Sequence, residues 1–255
     1  MPDNFKGIIF DVDGVLEFKG QVYPGAIELV RRLRQNGIII RILTNSTLKS
    51  RKSCAVKLNQ IGFEILEEEV VTASYATAKY LKTLNPRSCW VMLKREGLAE
   101  FNHFVHDDQN PEYIVLGDYR EDFRFEILNK ALKLLLSGSK LIVMITEKVD
   151  QSMGDVELTV GAYGKMLEDA AGITAIWIGK PNKYVFDVAL ESMGIQKHQV
   201  LMVGDRITSD ISGAKTAGIK SILVKSGEFR ERDLTGEVQP DYVVESIKEV
   251  SGFFR

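Results

Sequence analysis

The sequence predicts an α/β fold built on a parallel sheet. Short apolar, β-rich runs alternate with helical patterns along all 255 residues. The helical patterns close on glycines, the usual stop for a helix. No linker rich in Pro, Gly or Ser and no internal repeat breaks the alternation. Strands that alternate with helices pair in parallel.

The elements read in order as follows. Ile8 to Phe10 is a buried-type strand. Pro24 and Gly25 open a helix with the apolar stripe Ile27, Val30 and Leu33, closed by Gly37. Ile38 to Leu43 is the next strand, and a helix runs from about Leu48 to near Gly62. Val70 and Val71 form a short strand, followed by a helix over Ser74 to Leu84. Cys89 to Leu93, Tyr113 to Leu116 and Leu141 to Ile145 are strands. Between the last two lies a helix with Leu128, Ala131, Leu132 and Leu135 on one face and Gly138 past its end. Ala175 to Ile178 is a strand; Phe186, Ala189, Leu190 and Met193 mark a helix stopped by Gly194. Leu201 to Val203, a small-residue helix ending at Gly218, Ile222 to Val224 and Tyr242 to Val244 complete the chain.

Composition narrows the function classes. The formal charge of -2 gives no basic field for nucleic acid. No stretch approaches the ~18 apolar residues of a membrane span. Two cysteines, Cys54 and Cys89, build no disulfide framework and suit a reducing compartment. The N-terminus has no basic head or cleavage signal. The expectation is a cytoplasmic protein with neither nucleic-acid nor membrane partners.

Four motifs follow strands, and ligands of parallel sheets bind beyond the carboxyl ends of strands. Asp11-Val12-Asp13-Gly14-Val15-Leu16 places two acids on one side of an extended chain. Such a pair needs a cation or a proton, which suits one nucleophile and metal ligand beside one general acid/base. Alone, Asp13-Gly14 could be an exposed acidic turn with a hairpin signal, but a fully apolar strand feeding two acids favours function. Thr44-Asn45-Ser46-Thr47 offers hydroxyls and free N–H groups before a helix, an anion cradle or a plain N-cap. Gly179-Lys180-Pro181 supplies a point charge for phosphate, or an exposed loop lysine. Gly204-Asp205-Arg206-Ile207-Thr208-Ser209-Asp210 brings two carboxylates, hard ligands for magnesium or a helix-start acid pair, with Asp210 on the first helical turn. Together the four supply a nucleophile, a second acid, metal ligands, a phosphate cradle and a cation.

These motifs resemble motifs I to IV of the haloacid dehalogenase (HAD) superfamily. The wider pattern resembles its NagD-like branch, whose C2-type cap lies between motifs II and III. Phe125-Glu-Ile-Leu-Asn-Lys-Ala, Val160-Gly-Ala-Tyr, Ala171-Gly-Ile and Val224-Lys-Ser-Gly-Glu-Phe-Arg are similar to the phospholysine/phosphohistidine/pyrophosphate phosphatase group. The resemblance implies a Rossmann-like core at 1–75 and 174–255 with an inserted α/β cap at 76–173. It implies a Mg2+-dependent phosphatase acting on a small phosphorylated substrate, and it allows a cap-mediated homodimer. Asp11 would attack phosphorus, and Asp13 would protonate the leaving group and then activate water. Asp11, Asp205 and the backbone carbonyl of Asp13 would hold magnesium. Thr44, Asn45, Ser46 and Lys180 would hold the phosphoryl group, and Asp210 would orient Lys180 or a metal-bound water. Val160-Gly161-Ala162-Tyr163-Gly164 stands where the branch has a Pro-Gly-x-Gly cap loop, and Asp13 where some members of the group carry serine. The segment 146–159 departs most from the family and is expected to help set specificity.

Other features read as structural. His103 and His106 have helical spacing but no further ligands, and His198 is remote. Lys49, Arg51 and Lys52 read as a solvated helix face. Trp90 and Trp177 read as packing residues, and Arg31, Arg32 and Arg34 as the exposed side of a helix. A signalling receiver domain would be about half as long, with its acids on different strands. A catalytically silent HAD-fold binding protein is the alternative, against which the complete acid set argues. A dehalogenase would not need Asp13 or the magnesium acids.

Overall fold

The structure is a computed structural model and describes residues 4–150 and 156–254. Along the chain, β1 (Gly7–Phe10) leads into a hairpin of β2 (Glu17–Phe18) and β3 (Gln21–Val22). Then come α1 (Ala26–Gln35), β4 (Ile39–Thr44), α2 (Arg51–Gln60), β5 (Val70–Thr72) and α3 (Ala73–Leu84). The middle holds β6 (Cys89–Met92), β7 (Tyr113–Leu116), α4 (Phe125–Leu136), β8 (Lys140–Val143), β9 (Val149–Asp150), β10 (Glu157–Leu158), α5 (Val160–Ala171) and β11 (Ile176–Trp177). The last third holds α6 (Lys183–Met193), β12 (Val200–Gly204), α7 (Ser212–Ala217), β13 (Lys220–Val224) and β14 (Tyr242–Val244).

Two compact units result. One holds the chain up to Thr44, Cys54–Val71 and the chain from Lys180 onward; the other holds Asn45–Ser53 and Thr72–Gly179. The segment after Thr44, read from sequence as core, groups with the second unit because its backbone is bonded there. The Leu48 carbonyl accepts from Gly97 N at 2.9 Å and the Lys49 carbonyl from Ser74 Oγ at 2.8 Å.

The first unit is built on a six-stranded sheet in the order β14-β13-β12-β1-β4-β5. Its pairings from β14 to β4 are parallel. β1 and β12 are buried along their whole length, which is why both read as unbroken apolar runs rather than alternating ones. Ile8, Phe10, Leu201, Val203 and Ile222 of the sheet join Leu29 and Leu33 of α1 and Leu58 of α2 in one core. The stripe of α1 is rotated from the sequence reading. Ala26, Leu29, Val30 and Leu33 are buried, and Ile27 only packs against the core's edge.

The second unit carries a parallel four-stranded sheet, β11-β8-β7-β6. The strand before Gly179-Lys180 thus belongs to this sheet, whereas the family resemblance implied a place in the core. The stretch Val160–Gly164, read as a loop, is the first turns of α5: Thr159 caps it by accepting from Val160 N at 2.6 Å. His103 and His106 share no helix; His106 Nε2 accepts from Val91 N at 3.3 Å beside the β6 edge. Arg51 is not simply solvated, since its guanidinium lies 4.3 Å from the Tyr75 ring centroid. Trp90 is buried and Trp177 half-buried. Part of the proposed specificity segment, residues 151–155, lies outside the described residues. No helix among the described residues is long and apolar enough to cross a membrane.

Candidate active site

The site is built at the carboxyl end of the central strands of the first unit. Asp11 extends β1 by one rung, its N–H donating to the Val203 carbonyl at 3.0 Å. Phe10 is in register with Val203, so the residues just beyond β1 and β12 emerge side by side. That neighbourhood brings Asp11 and Asp205 together. Thr44 ends β4, which pairs with β1 on its other side, and is buried. Asn45 and Ser46 follow Thr44 directly but belong to the second unit, where the Asn45 side-chain amide donates to Glu147 Oε1 at 2.7 Å.

Lys180 arrives by a different route from the one its motif suggested. It lies in the turn before α6, and its side chain is almost wholly buried. Its ammonium sits 2.7 Å from Asp11 Oδ1 and 2.7 Å from Asp210 Oδ1, and donates to the Leu43 carbonyl at 3.2 Å. Asp210 does not open an α-helix as expected. It sits in a π-helical turn, Ile207–Ile211, that precedes α7. Its second oxygen accepts from Arg206 N at 3.2 Å. Wide turns of this kind re-aim a side chain and recur at functional sites.

Carboxylate oxygens of Asp11, Asp205 and Asp210 all lie within 4.8 Å of one another, and all three residues are buried. One ammonium cannot balance three carboxylates, and the electrostatics follow. Burial pushes Asp11 up from 3.8 to about 7; Lys180 opposes this, while Asp210 and Asp13 add to it. Burial, then the charges of Asp210 and Asp11, push Asp205 well above the carboxylate range. Burial works against the Lys180 charge, but Asp11 and Asp210 overcome it and raise its affinity for a proton.

Asp205 Oδ1 is buried and has no hydrogen-bond partner among the described residues. An orphaned anionic oxygen is costly unless a cation takes its lone pairs. This all-oxygen set fits a hard divalent ion such as Mg2+. Asp13 differs from the other acids in being exposed. Gly14 N donates to the Glu17 carbonyl at 2.8 Å, and peptide planarity then turns the Asp13 carbonyl the opposite way.

Sequence reasoning missed the β2–β3 hairpin. Its turn residues Lys19 and Gly20 both have positive φ, as a type I′ turn requires, but Lys-Gly is a weaker signal than Asn-Gly. It also missed Glu17 on that hairpin, a buried carboxylate that accepts from Gly20 N at 2.7 Å and from the Lys57 ammonium. Glu147 was not singled out either, although it lies in the 146–159 segment expected to help set specificity.

The four motifs agree with comparison to known proteins. A family model of haloacid dehalogenase-like hydrolases matches residues 8–104, and a HAD-hydrolase-like model matches residues 177–250. The phospholysine phosphohistidine inorganic pyrophosphate phosphatase of Mus musculus is 34% identical over 252 residues, covering 96% of this chain and 92% of its own. The chain belongs to the haloacid dehalogenase-like hydrolases. Haloacid dehalogenase-like hydrolase domain-containing protein 2 of Bos taurus is 31% identical over 89% of this chain and 87% of its own. Among solved structures, the 4-nitrophenylphosphatase of Thermotoga maritima superposes with a TM-score of 0.92 at 29% identity, covering 98% of this chain and 97% of its own. NagD of E. coli K-12 shares the fold, with a TM-score of 0.89 at 24% identity over 96% of this chain and 98% of its own. This HAD hydrolase is a phosphatase.

Proposed function

We propose that this phosphatase is Mg2+-dependent and hydrolyses a small phosphorylated substrate through an aspartyl-phosphate on Asp11. The observation that carries the reading is the buried acid cluster: three carboxylates, one lysine and an orphaned Asp205 oxygen. Asp11, Asp205 and the Asp13 carbonyl would hold the ion. When bound, it neutralises charge on the phosphoryl oxygens and aligns them for in-line transfer.

The chain's own residues perform the rest. Asp11 is the only one of the three clustered acids directly at the end of β1, held rigid by its backbone bond to β12. One of its oxygens attacks phosphorus as the bond to the leaving atom, oxygen in an ester or anhydride and nitrogen in a phosphoramidate, breaks. Asp13, which is exposed, gives a proton to that leaving atom. It then takes a proton from the water that attacks the acyl phosphate, releasing inorganic phosphate and restoring Asp11. Thr44 and Lys180 bind the phosphoryl oxygens. Asp210 holds Lys180 in place.

The mouse relative's name covers phospholysine, phosphohistidine and pyrophosphate, and the Thermotoga neighbour's covers 4-nitrophenyl phosphate. Phosphoramidates, pyrophosphate and phosphomonoesters are therefore the substrate classes assigned here. The proposed domain plan is a HAD-like core with an inserted C2-type cap, the cap taking Asn45–Ser53 and Thr72–Gly179 rather than 76–173, with a homodimer through the cap and a cytoplasmic location. Phosphate release from these three classes, with and without Mg2+ and beside Asp11→Asn, tests the reading. Magnesium-dependent release that the variant lacks supports it. Release that persists in chelator or in Asp11→Asn overturns it.

A further inference from the structure

A loop outside the four motifs closes on the acid cluster. It follows β13 and runs Ser226-Gly227-Glu228. Ser226 Oγ donates to the Gly14 carbonyl at 2.6 Å, pinning the turn that follows Asp13. Gly227 N donates to the Tyr23 hydroxyl at 3.0 Å, on the segment after β3. Glu228 N donates to Asp205 Oδ2 at 2.7 Å. Three consecutive residues thus bind the first motif, the segment after the hairpin and the fourth motif, all within the first unit.

The steric evidence is independent of these bonds. Gly227 has φ 56, in the left-handed region. A Cβ there would stand 2.2 Å from Asp205 Oδ2 and 2.4 Å from the Gly14 Cα. Gly14 has φ 90, and a Cβ on it would stand 2.1 Å from the same oxygen. The Asp205 carboxylate is therefore wedged between two backbones. Its Oδ2 is occupied by the Glu228 N–H, and only Oδ1 is left without a partner among the described residues.

We propose that the Ser226–Glu228 loop is a positioning element for the divalent cation: it fixes Asp205 so that Oδ1 alone is presented to the cluster, and it fixes the Asp13–Gly14 turn. It acts through Asp205 and Gly14 rather than by touching substrate. Outer groups that orient a ligand typically set metal affinity by about 10- to 100-fold. The inference rests on the Mg2+-dependent reading above and deepens it.

The test is Mg2+ binding to the full chain by titration calorimetry, with 4-nitrophenyl phosphate kinetics at saturating Mg2+ alongside. Gly227→Ala is expected to weaken Mg2+ binding by about 10-fold or more, while KM at saturating Mg2+ moves by less than about 3-fold. A merely structural role would not split the two. Should Gly227→Ala fail to fold, Ser226→Ala removes a single hydroxyl, and a several-fold loss of Mg2+ affinity is expected. Wild-type Mg2+ binding that a folded Gly227→Ala or Ser226→Ala reproduces overturns the loop's role and leaves the metal reading standing. Absence of Mg2+ binding in the wild type overturns both.

Discussion

Lys180 and Asp210 are 2.7 Å apart, and both side chains are buried. The same ammonium is 2.7 Å from Asp11. A buried ammonium held between two acids cannot be removed without leaving both carboxylates unpaired. Lys180→Met should destabilise the protein by about 3–5 kcal/mol, because it strands two carboxylates. Adding Asp210→Asn should recover part of that loss. Denaturant midpoints of the two single variants and the double variant check this; strict additivity would contradict the coupling.

The proposed nucleophile makes a sharper prediction. Asp11→Asn keeps the volume and removes the oxyanion proposed to attack phosphorus. Turnover should fall by more than about 1000-fold, while the thermal midpoint stays the same or rises, since one buried charge is gone. A clean preparation that still turns over near the wild-type rate would remove Asp11 from its role.

Acidity is the next lever. Asp11 is raised from 3.8 to about 7, and Asp205 is raised as well. Between these pH values the folded state therefore holds more protons than the unfolded chain. Stability must then fall as pH rises through that window. The raised Lys180 contributes stability that is lost only at alkaline pH, outside it. In chelator, urea midpoints should decline from about pH 4 to about pH 7, with a shallower decline in Asp11→Asn. Added Mg2+ should stabilise the neutral-pH protein by binding the folded state alone. Midpoints that climb across the window in chelator would contradict the raised acids.

Gly204 offers a steric test. A Cβ there would stand 2.2 Å from the Asp210 Cβ. Gly204→Ala should push Asp210 off Lys180, costing about 1–3 kcal/mol together with most of the activity. Unchanged stability and rate would mean the π-helical turn shifts freely.

Much of this was legible in the residues. Ile8-Ile9-Phe10 and Leu201-Met202-Val203 read as buried strands because parallel central strands are apolar on both faces. Asp11 and Asp205 were legible because each follows such a strand, and Thr44 because it ends the neighbouring β4. Lys180 was legible as a motif but not by route, since Ile176-Trp177 looks the same in either sheet. The turn at Asp210 was read as α-helical because one extra residue per turn leaves no mark in local propensity. The loop at Ser226–Glu228 acts mainly through backbone N–H groups and the space around Gly227. Its chemistry is invisible until the chain is folded.

The pairing of β1 has a consequence for how the molecule is made. On one side Gly7 meets Ile39, which follows soon after it; on the other it meets Val200. A chain emerging from the ribosome therefore presents an apolar strand with one bare edge until most of the polypeptide exists. Long-range pairings of this kind form slowly and leave sticky edges exposed meanwhile. Any truncation ahead of Val200 would leave that edge open for good, with the Asp11 carboxylate hanging from it.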